Sequence, residues 1–288
     1  MVDFGVTMFP TDYAIPPGEL ARAVEERGFE SLFFPEHTHI PASRQTAFPG
    51  GGDLPREYWH TQDPFVALAA AAAVTTRIKL AAGVCLIAQR DPIVTAKQAA
   101  SLDQISNGRF MLGVGAGWNV EELANHGTAF KDRWEVTRER VLAMREIWTK
   151  EEAEFHGKFV NFDRIWSYPK PVQPGGPPVL LGSNATPWAY ARVVEYCQGW
   201  MPLPGRSDLR GALQQLRAAA ARAGRSMETI SLSAYSLRPF EEPSHGEAQM
   251  RELIQVGFRR LVLRLPPAPA ETVLPLLDRY AELARRLS

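Results

Sequence analysis

The feature that most constrains this chain is an alternation repeated eight times: a short, almost wholly apolar run, then a longer segment with helical spacing. The apolar runs are Val2 to Met8, Ser31 to Phe34, Arg77 to Ile87, the run that begins RFMLGVGAGW at Arg109, Val179 to Leu181, Gly199 to Met201, Ile230 to Leu237 and Arg260 to Arg264. Runs this short and this uniformly apolar suit parallel strands buried on both faces. The intervening segments carry helix punctuation. PPGELARAVEERG spaces Leu20, Ala23 and Val24 helically and stops at Gly28, while Asp63-Pro64 and Asp91-Pro92 each join a capping carboxylate to a proline at the first helical position. Parallel neighbours need crossover connections, which these helices supply. Eight βα units predict an α/β protein with a (β/α)8 TIM-barrel fold, and 288 residues suit one such domain spanning 1–288.

A doubly wound open sheet is the competing architecture. Its glycine fingerprint belongs at the first βα turn, with an acidic residue about 20 positions on. Here the glycine run sits at the fourth turn, Trp118 stands where the third glycine would be, and no P-loop motif occurs. From about 150 to 178 the alternation breaks: FHGKFVNFD reads as a small hairpin and PKPVQPGGPP as a rigid connector. This stretch is an insertion between the fourth and fifth units. The Pro/Gly-rich loop from Pro35 to about Thr61 is long enough to be functional.

Charge narrows the partners. Lys plus Arg equals Asp plus Glu at 32 each, so no global field favours nucleic acid, and small neutral molecules fit better. No apolar run reaches the 18 residues of a membrane span, and the N-terminus has no basic region followed by an apolar core. Two cysteines, Cys85 and Cys197, suit a reducing, cytoplasmic location; Cys197 reads as a small buried residue or, alternatively, as a nucleophile.

A barrel of this kind builds its site at the carboxyl ends of its strands. Those ends hold Glu36, His37 and His39 after strand two; Gly83, Val84, Cys85, Gln89 and Arg90 after strand three; Ala116, Gly117, Trp118 and Asn119 after strand four; Gly182, Ser183 and Asn184 after strand five; and Trp200 in strand six. Glu36, His37 and His39 are candidate metal ligands, but no further His/Asp cluster completes a ligand set, so no metal is expected. A histidine moving a proton near neutrality is the preferred reading, beside a purely structural one. Trp118 and Trp200 can wall a flat ring or be core residues, and their coincidence with glycine-rich strand ends favours the ring. Gly182, Ser183 and Asn184, just ahead of a helix at Pro187, offer a phosphate site at a helix N-terminus.

In this arrangement FFPEHTHIP, GVCLIAQRDPIVTAKQAASLDQISNGRFMLGVGAGWNVEE, PKPVQPGGPPVLLG and the later GW resemble the bacterial luciferase-like flavin and deazaflavin oxidoreductases, most of all the branch that uses coenzyme F420. The resemblance covers most of the chain. It implies His37 as the catalytic residue near the ring's reactive carbon, with Glu36 its acidic neighbour. It further implies Gly83-Val84 as a bulge with a non-prolyl cis peptide, Ala116, Gly117 and Trp118 beside the ring, and Gly182 and Ser183 at the phosphate, while His39 and Trp200 fall to the substrate pocket. The sugar-phosphate dehydrogenase branch carries two consecutive acids in the strand-four loop, where this chain has Trp118-Asn119, so a candidate general acid is missing and a sugar phosphate is not expected. The implied activity is hydride exchange between F420 and a small organic substrate. Alternatives are an FMN-dependent monooxygenase fed by a separate reductase, or an idle flavin-binding protein. A homodimer is also implied.

Overall fold

The computed structural model describes residues 2–205, 208–242 and 245–288. In chain order the first strands and helices are β1 (Asp3–Thr7), α1 (Pro17–Glu26), β2 (Ser31–Phe34), α2 (Glu57–His60), α3 (Pro64–Ala72), β3 (Lys79–Leu86), α4 (Pro92–Ile105), β4 (Phe110–Gly115), α5 (Val120–Asn125) and α6 (Arg133–Thr149). An antiparallel hairpin, β5 (Ala153–His156) with β6 (Asn161–Ile165), follows outside the barrel, within the expected insertion. The barrel then resumes with β7 (Val179–Gly182), α7 (Pro187–Tyr196), β8 (Gly199–Met201), α8 (Leu209–Arg222), β9 (Ser231–Leu237), α9 (Glu247–Val256), β10 (Arg260–Arg264) and α10 (Ala270–Leu287). Its parallel strands close in the order β1, β10, β9, β8, β7, β4, β3, β2, which is a (β/α)8 barrel.

Strand alternation divides the core in two. Phe33, Ala81, Met111, Leu180, Met201 and Val262 pack together inside the barrel. Their neighbours Leu32, Leu80, Leu112, Leu181, Trp200 and Leu261 face outward into the layer shared with the helices. The proline-led helices are capped as the sequence predicts: Asp63 accepts from the Phe65 and Val66 amides at 2.8 and 3.1 Å, and Asp91 from Val94 at 2.9 Å. At the amino end of the barrel, buried Arg260 donates twice to Glu30, at 2.8 and 2.7 Å, and Lys79 Nζ lies 2.8 Å from the same carboxylate. Burial alone would raise the Glu30 pKa, yet the Arg260 and Lys79 charges hold it down at about 2.

Two helices are additions to the sequence pattern. α2 interrupts the loop read as irregular from 35 to 61, and α5 follows β4 directly. With four and six residues, neither spans enough turns to show a periodic apolar face. No helix among the described residues is long and apolar enough to cross a membrane.

Candidate active site

The carboxyl end of β3 shapes the barrel mouth. The Gly83–Val84 peptide is cis, as the resemblance implies, and the pairing of β3 with β4 slips between Ala82 and Cys85. The slip turns the Val84 side chain across two neighbouring strands. A Cβ added to Gly115 would sit 2.7 Å from Val84 Cγ2, and one added to Gly182 would overlap Val84 Cγ1. Part of the glycine pattern therefore makes room for a valine. From the far wall Tyr235 donates its hydroxyl hydrogen to the Gly83 carbonyl and accepts one from the Thr7 hydroxyl at 2.7 Å. Burial raises the Tyr235 phenol above its ordinary pKa, so it stays a donor.

His37 is buried just beyond β2, and its Nδ1 lies 3.0 and 3.1 Å from the two carboxylate oxygens of Glu122, a side chain wholly shielded from solvent. A carboxylate accepts, so Nδ1 carries a hydrogen and Nε2 is left to exchange protons. Glu122 is the residue that the sequence reading missed. Asn119 caps α5 by accepting from the Glu122 amide at 2.9 Å, and the Asn-x-x-Glu spacing right after β4 is a helix-start signal that could have found it. The strand-four loop has no acid at 118 or 119, as the sequence shows, but a carboxylate reaches the histidine one turn later. Glu121 beside it faces the other way and binds the long loop. It accepts from the Thr46 amide at 2.9 Å and from the Thr46 hydroxyl, whose oxygen accepts from the Val120 amide at 3.2 Å.

Aromatic rings surround the imidazole. Tyr58 of α2 lies 5.1 Å from the His37 ring and Trp118 lies 5.8 Å from it; Phe48, on the loop before α2, packs edge-on against Tyr58 at 5.2 Å and Trp118 at 5.9 Å. Tyr58 and Phe48, like Glu122, are contributed by segments whose positions depend on tertiary contacts.

The other sequence candidates fall in distinct places. Glu36 is buried but committed to protein partners: it accepts from the Leu86 amide and from Arg90 Nε, both at 2.6 Å, and Arg90 also reaches Asp63 at 2.6 Å. It braces the strand-three end rather than facing a ring. His39 stands apart from His37, hydrogen-bonded to Thr38 at 3.0 Å and Asn125 at 2.9 Å, with its ring 5.4 Å from His126. Trp200 is fully buried on the helix side of β8, edge-on to Tyr190 at 5.7 Å, and donates to Ser183 Oγ at 3.2 Å. The expected pocket wall is thus core, because Gly199 and Met201 take the inward positions and the alternation sends Trp200 out. Cys197 is buried, which pushes its thiol up to about 12 and leaves no thiolate for a nucleophile. Among the described residues no three His, Cys, Asp or Glu side chains gather as metal ligands would.

Two features of the mouth bear on the expected ring and phosphate. Gly117 has a left-handed backbone, φ 81°, and a Cβ there would stand 3.6 Å from Gln89 Nε2. Both polar atoms of the buried Gln89 amide lack a protein partner, a state that buried amides rarely keep without a ligand or water. Gly182 and Ser183 lead into α7, where Thr186 caps the Ala189 amide at 3.1 Å and Pro187 opens the helix.

The chain is thus a closed βα barrel with a bulged third strand, a buried His–carboxylate pair and aromatic rings at its mouth. The chain belongs to the luciferase-like monooxygenase family, whose model matches residues 17–286. It is 38% identical over 281 residues to an uncharacterized protein of Mycobacterium tuberculosis, covering 96% of this chain and 97% of that one. Among solved structures it resembles the monooxygenase RslO1 from Streptomyces bottropensis, at a TM-score of 0.78 and 23% identity over 99% of both chains. An F420-dependent secondary alcohol dehydrogenase in complex with an F420-acetone adduct also has a TM-score of 0.78, at 17% identity over 100% of this chain and 99% of that one. At these identities the two structures establish a shared fold.

Proposed function

We propose that this protein is an oxidoreductase that exchanges hydride between coenzyme F420 and a small organic substrate, with His37 moving the accompanying proton. The observation that carries this reading is the contact of His37 Nδ1 with both oxygens of Glu122, at 3.0 and 3.1 Å, beside the bulged end of β3. When bound, the deazaflavin supplies or takes the hydride. Gly83, Val84, Ala116, Gly117 and Trp118 would hold its ring, and Gly182 and Ser183 its phosphate. Glu122 keeps Nδ1 occupied and offsets charge on the imidazole, so that Nε2 gives or receives the proton. Tyr58 and Trp118 pack against the imidazole and Phe48 packs against both, so that the His37 side chain is buried.

The family's description as monooxygenases favours a second reading, with FMN as cofactor, delivered reduced by a partner reductase. Titrating the protein separately with F420 and with FMN decides between them: saturable F420 binding supports the first, and binding of FMN alone removes it. Both readings place the protein in the cytoplasm, in keeping with its free cysteines. A homodimer would bury the outward Val66 of α3 and Val94 of α4, which are 69% and 55% exposed, and light scattering would detect it.

A further inference from the structure

We propose that the substrate is a flat conjugated molecule that carries no anionic group and has a hydrogen-bond acceptor, such as an aryl ketone, seated on the aromatic surface beside His37. This rests on the oxidoreductase reading and narrows it to a substrate class. Three partly exposed rings make that surface, each packed edge-on against the others: Phe48 and Tyr58 at 5.2 Å, Phe48 and Trp118 at 5.9 Å, Tyr58 and Trp118 at 6.4 Å. Ring pairs of this geometry favour a further ring over an aliphatic group of similar size.

The charges around the surface select in the same direction. Arg264, at the end of β10, donates to Glu57 at 2.8 Å, and Arg90 is bound by Glu36 and Asp63. Both are therefore neutralised by carboxylates of the protein and offer little to an anionic substrate. Placing a carboxylate among the rings would strip its water without a free cation to replace it. The acceptor is dictated by the imidazole, whose Nδ1 is taken and whose Nε2 remains to donate when protonated.

The test measures binding of 2-acetylnaphthalene, of its 6-carboxylate analogue and of cyclohexyl methyl ketone by equilibrium dialysis, in the parent protein and in Trp118→Ala and Trp118→Phe. The naphthyl ketone should bind at least about tenfold more tightly than each of the other two. Trp118→Ala should weaken it by about tenfold and Trp118→Phe by less, since an aromatic face is kept. Equal or tighter binding of the carboxylate probe, or equal binding of the aliphatic ketone, overturns the proposal, as does an unchanged affinity in Trp118→Ala. F420 and FMN titrations of the same preparations read the cofactor separately. Loss of cofactor binding with ketone preference intact removes the oxidoreductase reading alone, and the reverse removes this inference alone.

Discussion

His37 and Glu122, separated by 85 positions in the chain, meet through one imidazole nitrogen and both oxygens of a carboxylate that solvent never reaches. The pair joins the end of β2 to the first turn of α5. A carboxylate so placed orients the ring and fixes which nitrogen carries the hydrogen. On this geometry Glu122→Gln should lower kcat/KM about 10²-fold, comparable with loss of a positioned acid–base group, and His37→Ala at least as much. Steady-state kinetics across pH would separate orientation from mere folding, because Glu122→Gln should also shift the pH profile while leaving the cofactor titration unchanged. An unaltered profile would show that Glu122 holds only the fold.

Val84 and Gly182 interlock across the barrel mouth. Gly182→Ala should destabilise the protein by about 1–3 kcal/mol, the range for overpacking a filled site. Val84→Ala should restore much of that loss in the double variant, giving a clear coupling between the two positions. Urea denaturation of the two single variants and the double variant checks this, and strictly additive effects would contradict the contact.

Glu30 links acid sensitivity to the opposite end of the barrel. Its carboxyl is held at about 2 in the fold against a usual 4.5. The unfolded chain therefore takes up the proton first as pH falls. The stabilisation is complete above about 4.5 and drains away as pH drops toward about 2. Urea midpoints should fall across that window in the parent and fall less steeply in Glu30→Gln, which has no proton to take up.

The barrel was legible because its signals are local: apolar runs of strand length and Asp-Pro helix starts recur in order. The bulge at Gly83-Val84 and the glycines after β4 were legible too, although their reasons were not. Gly182 read as backbone for a phosphate, but the nearest claimant to the space beside it, and beside Gly115, is Val84, brought over both by the slip in β3. Glu122 went unseen, and Phe48 and Tyr58 were legible only as part of a loop from residue 40 to 60 expected to shape the substrate pocket, because each reaches the site from another segment and no local period reports a contact of that range. Trp200 shows a different limit. Period-two alternation separates it from Met201, but only the surrounding helices decide which of the two faces the interior.

The adjacent carboxylates of α5 serve separate clients, Glu121 the Thr46 loop and Glu122 the His37 ring. Inserting one residue between Asn119 and Glu121 would rotate both by about 100° around the helix axis. The loop would lose its clasp and the imidazole its partner in a single event. Drift in the length of this short turn is thereby penalised twice, so the spacing from Gly117 to Glu122 is rigidly geared.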